Sequence, residues 1–257
     1  MEWQAPAIVL EARRHGEGGA VVQLLTEEFG RHAGLAKGGF SRAQSGLWQP
    51  GNLVEARWVG RLADQLGAVS GEMVHPTAAL AMEEALDLAL LNSACALATD
   101  ALPEREPQPR IFSGLLNLMA HLSRGATEQM ADYLRWEMLL LEGLGFGLNL
   151  SACAVTGSQE NLTHVSPRTG RAVSAEAAAP LAHRLLPLPA FLLGGQSERD
   201  PAAWLQGLKL TGHFLARDAF GARHRPMPAA RDMLQDRVAA LLPAEAQDEA
   251  QDEKPQE

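Results

Sequence analysis

The chain has 257 residues, 46% of them hydrophobic, and a formal net charge of −9. That length supports one large domain or two small ones, with a sizeable core and no covalent staples. No run of about 18 apolar residues occurs, which excludes an obvious membrane helix, and the acidic balance excludes a broadly basic surface.

Much of the charge lies at one end. Residues 243–257 hold Glu245, Asp248, Glu249, Asp252, Glu253 and Glu257 against Lys254, a balance of −5 that leaves −4 for residues 1–242. That segment reads as a disordered acidic tail. Any DNA binding must then come from a local patch and depend strongly on salt. The opening residues 1–6 show no basic region followed by an apolar stretch, so the expected location is the cytoplasm. Cys95 and Cys153 are far apart; Cys95, in an Ala/Leu-rich run, reads as a buried thiol, and no disulfide framework is expected.

Residues 7–13 predict a strand, broken by the glycines of residues 15–19 as a hairpin turn would be. Residues 21–26 predict a second strand, residues 31–37 a weaker third and residues 53–59 a fourth. A fifth is expected near residues 66–73. Strands at this spacing fit a small barrel such as an OB fold, and pattern alone does not separate that from an SH3-like barrel.

From residue 77 the chain turns helical. Residues 77–101 predict one Ala/Leu-rich helix with Glu83, Glu84 and Asp87 on one side. Residues 111–122 predict another, and Met130, Leu134, Met138, Leu141 and Leu144 mark the helix of a second core. Residues 150–174 read as irregular. Asp200 followed by Pro201 predicts a capped helix start, and Pro228 opens a last helix.

Most motif-like features have structural readings. Gly143, Gly145 and Gly147 follow a helix rather than a strand, so they stop a helix instead of cradling a phosphate. No residue set nominates a nucleophile or general base, and no enzymatic activity, cofactor or metal is expected. The loop after the third strand is more informative. Lys37, Phe40, Arg42 and Trp48 fall within twelve residues, preceded by Arg31. Cations neutralise phosphate and aromatic faces stack on bases, the combination OB folds use for single strands. The same aromatics could instead close the barrel. A second basic group comprises Arg217, Arg223, His224, Arg225 and Arg231, diluted by Asp218 and Asp232; charge alone favours an ordinary solvated helix-turn-helix surface there over a binding patch.

The ordered set of motifs resembles the RecO family. It comprises Ile8-Val9-Leu10, Gly16-Glu17, Val21–Thr26, Gly30 and Lys37-Gly38, then Arg135–Leu140 with Leu144-Gly145, then Val165–Gly170 and Pro228–Arg231. The resemblance spans residues 7–242. It implies an α+β chain: an N-terminal five-stranded OB barrel at residues 1–76 and a mainly helical domain at residues 77–242, with a cysteine-region insertion at residues 150–190. Some members bind zinc there through four cysteines. Here Cys153 matches one, while Thr156 and Ser174 stand at or near others and His164 is distant, so no zinc is expected.

The resemblance also implies binding of single- and double-stranded DNA, strand annealing, and partnership with RecR and with the C-terminal tail of single-stranded DNA-binding protein. The protein would be a nucleoid-associated recombination mediator that helps load recombinase. The DNA contacts expected are Arg31, Lys37 and Arg42 on phosphates, Phe40 or Trp48 on a base, and Arg13 and Arg57 if their strand faces point outward. An acidic, apolar peptide end wants an apolar pocket with a cation at its rim. Arg135 and Leu139 offer those residue types, although a brace for its own helix is the reading of Arg135 that the sequence favours. The alternative reading is a protein–protein adaptor whose barrel holds no nucleic acid.

Overall fold

The computed structural model describes residues 1–61, 66–122, 125–195 and 199–243. The acidic tail expected to be disordered lies, from residue 244, outside them. The chain divides into two compact units, Met1–Ala126 and Thr127–Glu257.

The first unit opens with five strands: β1 Glu2–His15, β2 Gly19–Thr26, β3 Gly30–Ala36, β4 Leu53–Val59 and β5 Gly67–His75. They close into a barrel in the order β1-β2-β3-β5-β4. Every pairing is antiparallel except β3 with β5. This is the small five-stranded barrel that the strand spacing predicts, and the OB type that the family resemblance implies. Trp3, Val9, Val22, Leu24, Val54, Trp58 and Val69 fill it. Trp58 lies so close to β5 that a Cβ on Gly67 would sit 2.3 Å from its ring. Its indole N–H donates to the carbonyl of Ala33 at 2.9 Å, as a buried tryptophan requires.

A bulge between Val9 and Glu11 shifts β1 by one residue. Before it the odd residues Trp3, Ala7 and Val9 point into the barrel; after it Ala12 packs inward instead. Arg14, two residues further, lies on the same side as Ala12. The opposite face of β1 is buried as well, at Ile8 and Leu10, because a helix covers it.

That helix is α2. Residues 77–101 form two helices rather than one: α1 Thr77–Ala81 and α2 Ala85–Ala101. Glu84 is extended between them, with φ −130° and ψ 132°. Asp87 is buried while Glu83 and Glu84 are exposed, so the three acids do not share a face. The Cys95 thiol of α2 donates to the Val9 carbonyl at 3.9 Å, and burial pushes it up to about 12. Helix α3, Pro109–His121, also belongs to this unit. Strands thus give way to helices at residues 76–77, while the first compact unit runs on to Ala126.

In the second unit, α4 spans Ala126–Gly143. The stretch read as irregular, residues 150–174, contains two strands, β6 Leu162–Val165 and β7 Ala172–Ser174, which pair in a small antiparallel sheet of order β7-β6-β8 with β8 Leu186–Pro187. A short α5, Ala175–Ala178, follows β7. Helix α6, Pro201–Phe214, starts as expected: the Asp200 carboxylate accepts from the Ala202 N–H at 2.9 Å. It runs into a π-helical turn, Leu215–Phe220, and α7 Ala229–Ala239 closes the unit. Arg231 of α7 is 1% exposed and leaves the basic surface group expected for it. Among the described residues no helix is long and apolar enough to cross a membrane.

Candidate nucleic-acid interface at the barrel mouth

Three segments converge at the end of the barrel where β1 finishes. Arg14 of β1 stands opposite Ala20 of β2, which stands opposite Ala36 of β3. The loop leaving β3 is then pinned to the β1–β2 turn. Phe40 N–H donates to the Gly18 carbonyl at 3.2 Å. Gly39 fits beside Ala20 only because it lacks a side chain; a Cβ there would lie 2.7 Å from the Ala20 Cβ. Phe40 packs against the barrel core, and the Arg14 guanidinium covers its ring at 4.8 Å from the centroid.

Lys37 and Arg42 flank Phe40. Both are exposed, and neither has an ion pair among the described residues. Glu17 at the tip of the turn is the acidic side chain of that segment. The mouth therefore presents Arg14 over one half-buried ring, with the exposed Lys37 and Arg42 on the same loop as that ring. Sequence reasoning missed Arg14. Alternation counted from Val9 puts Arg13 on the inward side, and only the bulge reverses that parity.

The other expected residues lie elsewhere. Trp48 is 2% exposed and part of the barrel core, so it offers no face to a base; it closes the barrel. The Arg31 side chain is 13% exposed, on the face of β3 opposite His32, which packs on Trp3 and Trp58 inside the barrel. It donates to the Leu102 carbonyl at 3.0 Å and to Gln23 Oε1 at 2.9 Å, and pairs with Glu104 at 3.4 Å. It braces β3 rather than facing a phosphate. Arg13 and Arg57 point outward, but each is ion-paired, with Glu11 at 2.7 Å and with Glu2 at 2.5 Å. Arg57 also lies opposite Gln4, at the far end of β1 from the mouth. In the second unit Arg135 is a brace: it donates to Asp132 at 2.8 Å and to the Phe191 carbonyl at 2.9 Å. Leu139 is half-buried.

The segment around Cys153 has no ligand set for zinc among the described residues. The Ser174 N–H and hydroxyl donate to the Cys153 sulfur at 3.3 and 3.4 Å, and the Thr156 N–H at 3.5 Å. These hydrogen bonds, Ser174's first, push the thiol down to about 6. Groups that donate to sulfur at the positions of absent cysteines cannot also ligate a metal, which needs about four nitrogen or sulfur ligands. Among the described residues no group of three or more His, Cys, Asp or Glu side chains converges. The residues do not fit zinc. Dialysis against EDTA should leave the thermal midpoint unchanged, read by circular dichroism.

A closed five-stranded barrel, then helices with a small sheet set among them, defines an OB-fold protein of the α+β class. Comparison with known proteins narrows this. The family description "Recombination protein O N terminal" matches residues 1–77 and "Recombination protein O C terminal" matches residues 82–226. The DNA repair protein RecO of Granulibacter bethesdensis is 54% identical over 246 residues, covering 95% of this chain and 98% of the relative. That of Gluconacetobacter diazotrophicus is 56% identical over 250 residues, with 95% and 97% covered. That of Acidiphilium cryptum is 51% identical over 245 residues, with 94% and 97% covered. The chain belongs to the recombination protein O (RecO) family, and its role lies in DNA repair and recombination.

Proposed function

We propose that the barrel mouth binds the DNA backbone, and that the protein acts as a recombination mediator without a catalytic step of its own. Lys37 and Arg42 contact phosphates. Arg14, laid flat on Phe40, offers a guanidinium plane on which a base can stack. In this reading the protein holds and anneals single strands, also binds duplex DNA, and helps load recombinase where single-stranded DNA-binding protein coats the strand. RecR and the tail of that coating protein are its proposed partners, and the nucleoid in the cytoplasm its proposed location. With Arg135 held by Asp132 and the Phe191 carbonyl, Leu139 is the residue proposed for the tail's contact.

One observation carries this reading: Arg14 lies over the Phe40 ring, and Lys37 and Arg42, exposed and without ion pairs among the described residues, stand within three residues of that ring in a molecule whose net charge is −9. Clustering is what lets a local patch attract a polyanion despite the overall sign. Fluorescence anisotropy with a labelled oligothymidine tests it. Binding should weaken with salt, the mouth contributing about −1.4 to the slope of log K against log salt, from two phosphate contacts at about 0.7 each. Absence of binding at low salt would favour the adaptor reading, which the negative net charge recommends.

A further inference from the structure

A second cationic surface stands in the second unit, where two segments meet at one carbonyl. Arg217 Nη1 and His213 Nε2 both donate to the carbonyl of Pro167, His213 at 3.2 Å. Pro167 sits in the β6–β7 turn; His213 ends α6, and Arg217 belongs to the π-helical turn. The turn is also packed from below. A Cβ on Gly170, which has φ +66°, would lie 3.6 Å from the Phe214 ring, and the Arg217 guanidinium covers that same ring at 4.9 Å. The Ser166 carbonyl accepts from Gly170 at 2.9 Å, and Ser166 N–H donates to Arg171 at 3.0 Å. A widened helical turn is uncommon in helices and recurs at functional sites; here it brings Arg217 to the hairpin.

This rigid turn carries Arg168 and Arg171, both exposed, and neither has an ion pair among the described residues. Asp218 takes Arg217 through two bonds of 2.7 Å, so the excess charge is that of Arg168 and Arg171, with His213 beside them. Exposed guanidinium forks on a fixed backbone match phosphate oxygens. An acidic peptide would also want an apolar pocket, and none of the large exposed apolar side chains among the described residues lies in residues 166–171.

We propose that the β6–β7 turn and the adjoining π-helical turn form a second contact for single-stranded DNA, through its phosphates, on the helical unit. This rests on the reading that the protein binds DNA, and it adds a site of which neither the mouth nor its residues form part. Arg168 and Arg171 could not be grouped with Arg217 from sequence, because they are far apart in the chain and come together only where Arg217 reaches the Pro167 carbonyl.

The test compares full-length Arg168→Glu/Arg171→Glu with Lys37→Glu/Arg42→Glu on the same labelled oligothymidine across a salt series. Arg168→Glu/Arg171→Glu should bind roughly a hundredfold more weakly at low salt, with a slope shallower by about 1.4. Its circular dichroism spectrum should be native. Arg168→Gln/Arg171→Gln, which removes charge without reversing it, should show the same change in smaller measure. Native affinity and slope in both Arg168/Arg171 variants would overturn the second site, and a simultaneous loss in the Lys37/Arg42 variant would leave the mouth standing. Loss in the Arg168/Arg171 variants beside a native Lys37/Arg42 variant would do the reverse. Native DNA binding with lost binding of a poly-glutamate peptide would assign the surface to an acidic protein segment and overturn the proposal.

Discussion

Arg231→Met is expected to lower the unfolding free energy of the second unit by about 3–5 kcal/mol, because it strands a buried carboxylate. Glu137 of α4 is 0% exposed. It accepts from Arg231 Nε at 2.5 Å and Nη2 at 3.2 Å, from the Tyr133 hydroxyl at 2.6 Å, and from the Thr211 hydroxyl. Arg231 also donates to the Leu208 carbonyl at 2.8 Å. One ion pair thus ties α4, α6 and α7. Burial opposes the charge on Arg231, and the attraction of Glu137 overcomes it, so the guanidinium is held more firmly protonated than usual. Removing the cation leaves Glu137 with hydroxyl donors and no counter-charge. The double variant Arg231→Met/Glu137→Leu removes both charges and should recover most of the loss. Urea denaturation of the two variants measures this. Equal destabilisation in both would mean that packing, not charge pairing, joins the helices there.

The second large effect concerns the mouth. Lys37→Glu/Arg42→Glu should weaken single-strand binding roughly a hundredfold at low salt, on the estimate of about 1.4 kcal/mol for each reversed charge. Both side chains are exposed without ion pairs among the described residues, so stability should stay within about 0.5 kcal/mol of native. Arg31→Ala is the informative contrast. Its guanidinium is spent on Leu102, Gln23 and Glu104, so it should lose stability and keep most of its DNA affinity after correction for the folded fraction. Anisotropy and denaturation on the same samples separate the two behaviours.

The barrel was legible because each strand combines β-favouring residues with a glycine-containing break, and those signals are local. Its site was legible in part. Lys37, Phe40 and Arg42 stand in one short loop, so sequence proximity was enough to group them. Trp48 shares that loop, but its ring turns inward against the barrel; whether an aromatic residue in a loop points in or out is decided by tertiary packing. Arg13 and Arg14 are neighbours in sequence, and a single bulge decides which of them reaches the mouth. No composition signal marks that bulge. In the helical half, a run of Ala and Leu concealed the break at Glu84, since both sides of it favour helix. Arg231 looked like a surface cation among others; its partner Glu137 is in a different helix, and charge counts along a chain cannot pair residues across a core.

Cross-linking maps the mouth most directly. A bromouracil-substituted single strand, irradiated in complex with the full-length protein and digested, should leave nucleotide mass on the peptide that contains Phe40, between Lys37 and Arg42. Cross-links that form in good yield yet never fall on that peptide would remove the barrel mouth as the place where DNA is held.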